Sequence, residues 1–215
     1  MKTYYSSGKL LLTGEYAVLD GALCLALPTK YGQHLKVSTI TDPVIKWSIR
    51  DDDHSVWFQE VIPLRSLDNI TETPISGMSA SEILVQILGL ARQLNPDFLS
   101  GETGFDVVTQ LEFPRKWGLG TSSTLINNIA QWAGVDPYKL LDKTFGGSGY
   151  DIACAQSTRP LLYQRLEGNP WTETVDFNPT FTSSLFFVYL NRKQDSRAAI
   201  KHFRKESEES GKLVG

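Results

Sequence analysis

The 215-residue sequence is short of three things: cysteine, a surplus of charge of either sign, and long apolar runs. No apolar stretch is longer than the six residues 185–190, whereas a membrane-spanning helix takes about 20. A spanning helix and a membrane partner are therefore not expected. Near the start, the apolar residues 10–12 fall far short of a secretory core of about 7–15 residues, which predicts a cytoplasmic protein. The two cysteines, Cys24 and Cys154, stand among apolar neighbours without the paired spacing of a zinc or redox site, so both are expected in the core. With 24 acidic against 21 basic side chains, a net charge of -3 and no basic stripe, the chain lacks what the phosphate backbone of a nucleic acid requires. The basic stretch 201–205 runs straight into Glu206, Glu208 and Glu209, an alternation that suits a solvated helix.

What is present excludes disorder, since 41% of residues are hydrophobic and 11% aromatic. The length suits one large domain, or one domain with part of a second. The first third reads as mostly β. Asp20-Gly21 between apolar runs is a hairpin signal, because both turn positions favour positive φ. Leu35, Val37 and Thr39, then Ile45, Trp47 and Ile49, alternate with polar neighbours, and residues 51–53 form a polar turn before a strand over 56–62. Ser79 and Glu82 make a capping-box pattern ahead of Ile83, Leu84, Ile87, Leu88, Ala91 and Leu94 at helical spacing. A strand over 105–113 is closed by Pro114. Asp136-Pro137 caps a short helix through Lys143. Residues 161–165 and 185–190 read as strands and residues 196–209 as a helix. No repeat or low-complexity tract is visible.

Two glycine loops each open a helix. After Gly118-Leu119-Gly120 come Thr121, Ser122, Ser123 and Thr124, then Leu125, Ile126, Ile129 and Ala133 at helical spacing. A helix start presents unpaired N–H groups and the positive end of the macrodipole, and glycines let phosphate oxygens approach the backbone. Neighbouring hydroxyls would donate to phosphate or bind Mg²⁺, a hard ion that takes oxygen ligands. Neither a Walker loop nor the full dinucleotide fingerprint is present, Ser123 standing where the third glycine would be. The second loop, Gly146-Gly147-Ser148-Gly149, runs into Tyr150-Asp151 and a small-residue helix start. Lys9 and Glu15 flank one short apolar segment, for which an ion pair at strand ends is the plainer reading. An Asp in the first turn of a helix, as at Asp151, is by itself a dipole contact worth roughly 0.3–1 kcal/mol.

Together and in order, Ser7-Gly8-Lys9-Leu10-Leu11-Leu12-Thr13-Gly14-Glu15-Tyr16, then Pro114-x-x-x-Gly118-Leu119-Gly120-Thr121-Ser122-Ser123, then Gly147-Ser148-Gly149-Tyr150-Asp151, resemble the landmarks of the GHMP small-molecule kinases. The resemblance is nearest to the mevalonate and phosphomevalonate kinase branch, and within it Gly-Glu-Tyr and Gly-Ser-Gly-Tyr-Asp lean toward phosphomevalonate kinase and related bacterial kinases with a Gly-Tyr-Asp motif. The resemblance spans residues 5–165.

It implies an α+β fold: a GHMP-kinase N-terminal domain, similar to domain 2 of ribosomal protein S5, with a mixed sheet and helices over residues 1–180. Residues 181–215 would begin a ferredoxin-like C-terminal domain. It implies ATP and Mg²⁺ as cofactors and a small-molecule substrate. Pro114, Gly118, Leu119, Gly120, Thr121, Ser122 and Ser123 would hold the ATP phosphates, with Ser122 also on the metal. Lys9 and Asp151 match the catalytic lysine and carboxylate, and Glu15, Gly147, Ser148 and Gly149 would face the substrate. The sequence departs from the pattern in three ways. Ser7 replaces the usual proline of the first motif. The only acids between residues 125 and 145 are Asp136 and Asp142, where the family has a metal-binding glutamate. The last glycine motif of the family is absent, which implies a truncated chain. The expected activity is ATP-dependent phosphorylation of an alcohol or phosphate monoester, mevalonate- or phosphomevalonate-like. The alternatives are a non-catalytic nucleotide- or metabolite-binding fragment, or a related kinase of a sugar or homoserine.

Overall fold

A computed structural model describes residues 1–189 and Phe203. Seven strands make one sheet: β1 (Lys2–Leu11), β2 (Cys24–Ile40), β3 (Val44–Arg50), β4 (Val56–Pro63), β5 (Gly104–Leu111), β6 (Leu161–Leu166) and β7 (Asn169–Thr174). Their order is β4-β3-β5-β2-β6-β7, with β1 on β2, and every pairing is antiparallel except β3 with β5. β2, at 17 residues, organises the sheet. A strand has two edges; β1 takes one, while β5 pairs with residues 33–40 and β6 with residues 24–26 on the other.

Among the described residues, four α-helices accompany the sheet: α1 (Ala80–Leu94), α2 (Thr121–Ala133), α3 (Pro137–Asp142) and α4 (Tyr150–Ala155). Helix α1 starts where the capping box puts it, the Ser79 N–H donating to Glu82 Oε2 at 2.7 Å and the Glu82 N–H to Ser79 Oγ at 3.3 Å. The alternating residues Leu35, Val37, Ile45, Trp47, Ile49 and Val107 bury one sheet face in a core with Leu84, Ile87 and Leu88 of α1 and Ile126 and Ile129 of α2. This is a two-layer α+β architecture with a mixed sheet, the fold class expected. Cys24 and Cys154 lie in a second, smaller core with Val18, Ala26, Leu161 and Tyr163. Burial pushes their thiols up to about 11 and about 12, so both stay protonated and apolar in character.

Several elements differ from the sequence expectation. Asp20-Gly21 does not close a two-residue hairpin. Residues Ala17–Asp20 wind into a 3₁₀ turn because Val18 is drawn into the small core, and Gly21, at φ 85°, ends that turn. β5 stops at Leu111, leaving Phe113 to pack with Leu111 and Leu119. α3 ends at Asp142, one residue early. Strand β7 was not expected at all. Residues 185–189 form no strand, and the apolar side chains of Phe186 and Val188 are 85% and 74% exposed. Leu190, and the expected helix over 196–209 apart from helical Phe203, lie outside the described residues.

Candidate active site

The site is built where three segments meet: the irregular middle of β1, the loop after β5, and the start of α4. Between Ser7 and Lys9 the β1–β2 register shifts. This releases the Lys9 N–H from the ladder to donate to the Leu119 carbonyl at 2.9 Å. Leu119 itself is buried with Leu111 and Phe113, which pins the loop at its centre. Pro114 opens the loop, accepting from the Trp117 N–H at 2.9 Å, and a 3₁₀ turn at Arg115–Trp117 leads into Gly118.

Gly118 and Gly120 are left-handed, at φ 75° and 93°. A side chain on Gly118 would meet nothing within 4 Å, so the backbone there lies open. On Gly120 a Cβ would fall 2.7 Å from Ser123 Oγ and 3.0 Å from Lys9 Cγ. The stem of Lys9 thus runs directly over Gly120, in space that any other residue would take. Helix α2 then begins, its first internal bond running from the Thr124 N–H to the Gly120 carbonyl at 2.9 Å. The N–H groups of Thr121, Ser122 and Ser123 precede any intrahelical partner. Together with the macrodipole they favour an anion at this end.

The four hydroxyls separate by role. Ser122 is exposed and Thr121 half-buried, while Ser123 and Thr124 are buried. Thr124 Oγ1 reaches Gln33 Oε1 at 2.9 Å. Ser123 Oγ donates to the Gly120 carbonyl at 3.0 Å, and its side chain is among the groups that lower the Asp151 carboxyl. Ser123 therefore faces inward toward α4, while Ser122 faces outward.

A buried polar network holds α2 in place on the sheet. Ser6 Oγ donates to Asn128 Oδ1 at 2.8 Å, Asn127 Nδ2 to Ser6 Oγ at 2.8 Å, and Asn128 Nδ2 to the Gln33 carbonyl at 2.9 Å. None of these residues was expected to matter to the site. Their signal was the Asn127-Asn128 pair inside an otherwise apolar helix, where short amides are disfavoured unless they find partners.

Helix α4 brings the carboxylate. Asp151 is its second residue and Gly149, at φ 87°, precedes it. Burial pushes the Asp151 carboxyl above its usual range. The Lys9 charge, the Ser123 side chain and the backbone N–H groups of Asp151 and Ile152 pull against that. Lys9 Nζ donates to the hydroxyl of Tyr150 at 2.9 Å, so its ammonium turns to the phenol and not to Glu15. Burial raises the Tyr150 phenol far above its ordinary value, with the negative charges of Asp151 and Glu15 adding to the effect.

The second glycine loop is held from β6. Tyr163 donates to the Ser148 carbonyl, and Arg165 Nη1 to the Gly147 carbonyl at 3.2 Å while Nη1 and Nη2 together grip Asp142. Asp142 is thus an ion-pair partner, not a free solvated charge. Gly149 is hemmed by Tyr163 and Tyr138, where a Cβ would come within 2.9 Å of Tyr163 Oη. Its glycine is needed for packing, whereas Gly146 and Gly147 leave room for a side chain, and Gly147 is the exposed one. Glu15 is exposed beside the 3₁₀ turn. The structure therefore brings together Lys9, Gly120, Ser123 and Asp151, with Ser122 and the open Gly118 at the rim. Among the described residues, no three His, Cys, Asp or Glu gather as a metal cluster. No helix among them is long and apolar enough to cross a membrane.

No protein-family profile and no curated protein matches the sequence. Solved structures do resemble the fold. The mevalonate kinase of Methanococcus jannaschii superposes with a TM-score of 0.61 at 13% identity, over 82% of this chain and 56% of that one. The L. major mevalonate kinase in complex with R-mevalonate gives 0.63 at 14% identity, over 97% and 62%. The Streptococcus pneumoniae phosphomevalonate kinase, in complex with phosphomevalonate and AMPPNP, gives 0.51 at 20% identity, over 76% and 50%. The chain thus spans between half and two thirds of the length of these three proteins. The fold is that of the N-terminal domain of the GHMP kinases.

Proposed function

We propose that this chain carries the nucleotide-binding and phosphoryl-transfer residues of an ATP-dependent small-molecule kinase. Its acceptor is an alcohol or a phosphate monoester, of the mevalonate or phosphomevalonate kind, and the enzyme works in the cytoplasm. The observation that carries this reading is the convergence of Lys9 and Asp151 on the left-handed glycine that opens α2. The stem of Lys9 lies over Gly120, Ser123 Oγ donates to the Gly120 carbonyl, and the Lys9 charge and the Ser123 side chain both lower the Asp151 carboxyl. Residues 1–180 form the nucleotide-binding domain in this reading, and residues 181–215 begin a second one.

The residues present fit a triphosphate. The open backbone at Gly118 and the free N–H groups of the first turn of α2 would receive its oxygens. Mg²⁺ would be held by the Ser122 hydroxyl and the phosphates, with Asp151 as the nearby carboxylate, and would neutralise charge on the phosphates. Phosphoryl transfer asks mainly for positioning and charge stabilisation. The acceptor hydroxyl would lose its proton to the Asp151 carboxylate as its oxygen bonds the γ-phosphorus and the bond from that phosphorus to the ADP oxygen breaks. A carboxyl raised by burial holds that proton better than an ordinary one, which suits a base at neutral pH. The Lys9 ammonium would balance the charge that develops. Gly147 and Glu15 would border the acceptor.

The test is ADP release measured with mevalonate, phosphomevalonate, galactose and homoserine as acceptors, in the wild type and in Lys9→Met. One acceptor should stimulate turnover. Lys9→Met should then lose about 10²–10⁴ in kcat while nucleotide affinity stays similar. An equally active Lys9→Met would remove the lysine from the mechanism. Nucleotide binding without turnover on any acceptor would favour the second reading, a non-catalytic nucleotide-binding protein.

A further inference from the structure

Lys9 reaches the site on a flexible four-carbon stem, and an ammonium on such a stem is poorly placed unless something holds its tip. The structure shows what holds each end. The stem passes over Gly120, with Cγ 3.0 Å and Cε 3.6 Å from where a Cβ would stand. The tip meets Tyr150, Nζ lying 2.9 Å from the phenol oxygen and 5.4 Å from the ring centroid. An ammonium has no lone pair to accept with, so in this hydrogen bond the phenol oxygen is the acceptor.

The phenol is itself rigidly presented. Tyr150 is the first residue of α4, and the Ser148-Gly149 backbone before it is clamped by Tyr163 and Tyr138. Its ring packs against the small core of Val18, Cys24, Ala153 and Cys154. Tyr150 is next to Asp151 in sequence, so one helix start delivers both the carboxylate and the anchor for its cationic partner.

We infer that Tyr150 is a positioning residue, whose hydroxyl fixes the Lys9 ammonium between Gly120 and Asp151. This rests on the kinase reading for its effect on turnover, while the contact itself stands independently of that reading. The phenol stays neutral throughout the working pH range, because burial and the charges of Asp151 and Glu15 oppose its ionisation. It therefore orients the ammonium without neutralising it, leaving the full positive charge for the transferring phosphoryl group.

The experiment uses the full chain as Tyr150→Phe, which keeps the ring and removes only the acceptor oxygen. With the acceptor that supports ADP release, kcat should fall about 10- to 100-fold, the usual weight of a hydrogen bond to a charged group. The KM for ATP and the calorimetric affinity for nucleotide should change by less than about twofold. The double variant Lys9→Met/Tyr150→Phe should be no slower than Lys9→Met alone, since a residue acting through Lys9 has nothing left to position. A purely structural role would instead lower the melting temperature and carry its loss into the Lys9→Met background, and that result would overturn the inference, as would an unchanged kcat. A second measurement does not depend on catalysis. In chain labelled with ¹⁵N-lysine, the Lys9 ammonium should give a slowly exchanging proton signal, assigned by its loss in Lys9→Met, and Tyr150→Phe should abolish it. An ammonium signal absent from the wild type, or unchanged in Tyr150→Phe, sinks the inference. Absence of turnover with a Tyr150-dependent signal sinks the kinase reading and leaves the inference standing.

Discussion

Asp151 has conflicting neighbours. Removal from water raises its carboxyl, and Lys9, Ser123 and two backbone N–H groups recover only part of that cost. A native pKa above the ordinary 3.8 means that the folded chain holds this proton more tightly than the unfolded one. The group's contribution to stability is then fullest below the unfolded value and is lost as pH rises through the raised native one. At neutral pH the charged carboxylate is a burden on the fold. Asp151→Asn, which cannot ionise, should melt higher than the wild type at pH 7, and the gap should close as pH falls toward the ordinary carboxylate value. Phosphoryl transfer should collapse in the same variant while nucleotide still binds. Thermal melting over a pH series reads the first effect and ADP release the second; a wild type that outlasts Asp151→Asn at pH 7 would contradict the sign. Lys9, Gly120 and Asp151 stood out in the sequence by residue type, an ammonium, a missing side chain and a carboxylate, and the structure brings them together, their roles remaining part of the proposal. The Tyr150 contact was not legible there, because an approach between residues 9 and 150 is set by the fold and not by any spacing in the chain. Ser123 read as a phosphate ligand beside Ser122, yet neighbouring residues on a helix point about 100° apart, and that turn sends Ser123 inward.

Elements were legible where one signal dominated. The capping box with its apolar stripe marked α1, and the glycine step into Thr121 marked α2. Two features were not legible. Pro28 lies inside β2, opposite Lys9 beside the bulge of β1, a place where a missing N–H is tolerated, and β2 runs on through it for 17 residues. β7 went unseen because all six of its residues are exposed, so it has no inward-facing alternation to read. The start of α2 carries a prediction of its own. Gly120 holds φ 93°, and a side chain there would press on Ser123 Oγ and Lys9 Cγ. Gly120→Ala should therefore cost about 1–2 kcal/mol from the left-handed backbone alone, and should displace Lys9 as well. Nucleotide affinity by calorimetry and stability by denaturant should fall together. A variant that binds nucleotide as the wild type does would show that this loop is not the phosphate cradle.

At the scale of the molecule, the mixed α+β character was legible from alternating strands in the first third and helical spacing later. The strand order was not, since nothing in a sequence tells one strand that its second edge is shared by two partners distant in the chain. The position of the core bears on the proposed domain boundary near residue 180. Every fully buried apolar side chain among the described residues lies at or before Tyr163. Phe181, Leu185, Phe186, Phe187 and Val188 are all exposed. Among the described residues, two aromatic contacts link the later residues to the body: Tyr189 lies 6.5 Å from Trp117 and Phe203 stacks on Tyr16 at 5.2 Å between ring centroids. Contacts of this kind are worth about 0.5–1.5 kcal/mol each, and a kcal/mol moves the melting point of a domain this size by roughly 2–4 °C. With those two contacts gone, a chain ending at Thr180 should keep a single cooperative transition, at most about 12 °C lower, and should bind nucleotide with the affinity of the longer chain. It should also bind less of a dye that reports exposed apolar surface, because the uncovered run 185–188 is gone. Calorimetric melting of the two lengths side by side decides it. Loss of cooperativity in the shorter chain would mean that residues after 180 belong to the folding unit of the first domain, and the proposed boundary would have to move.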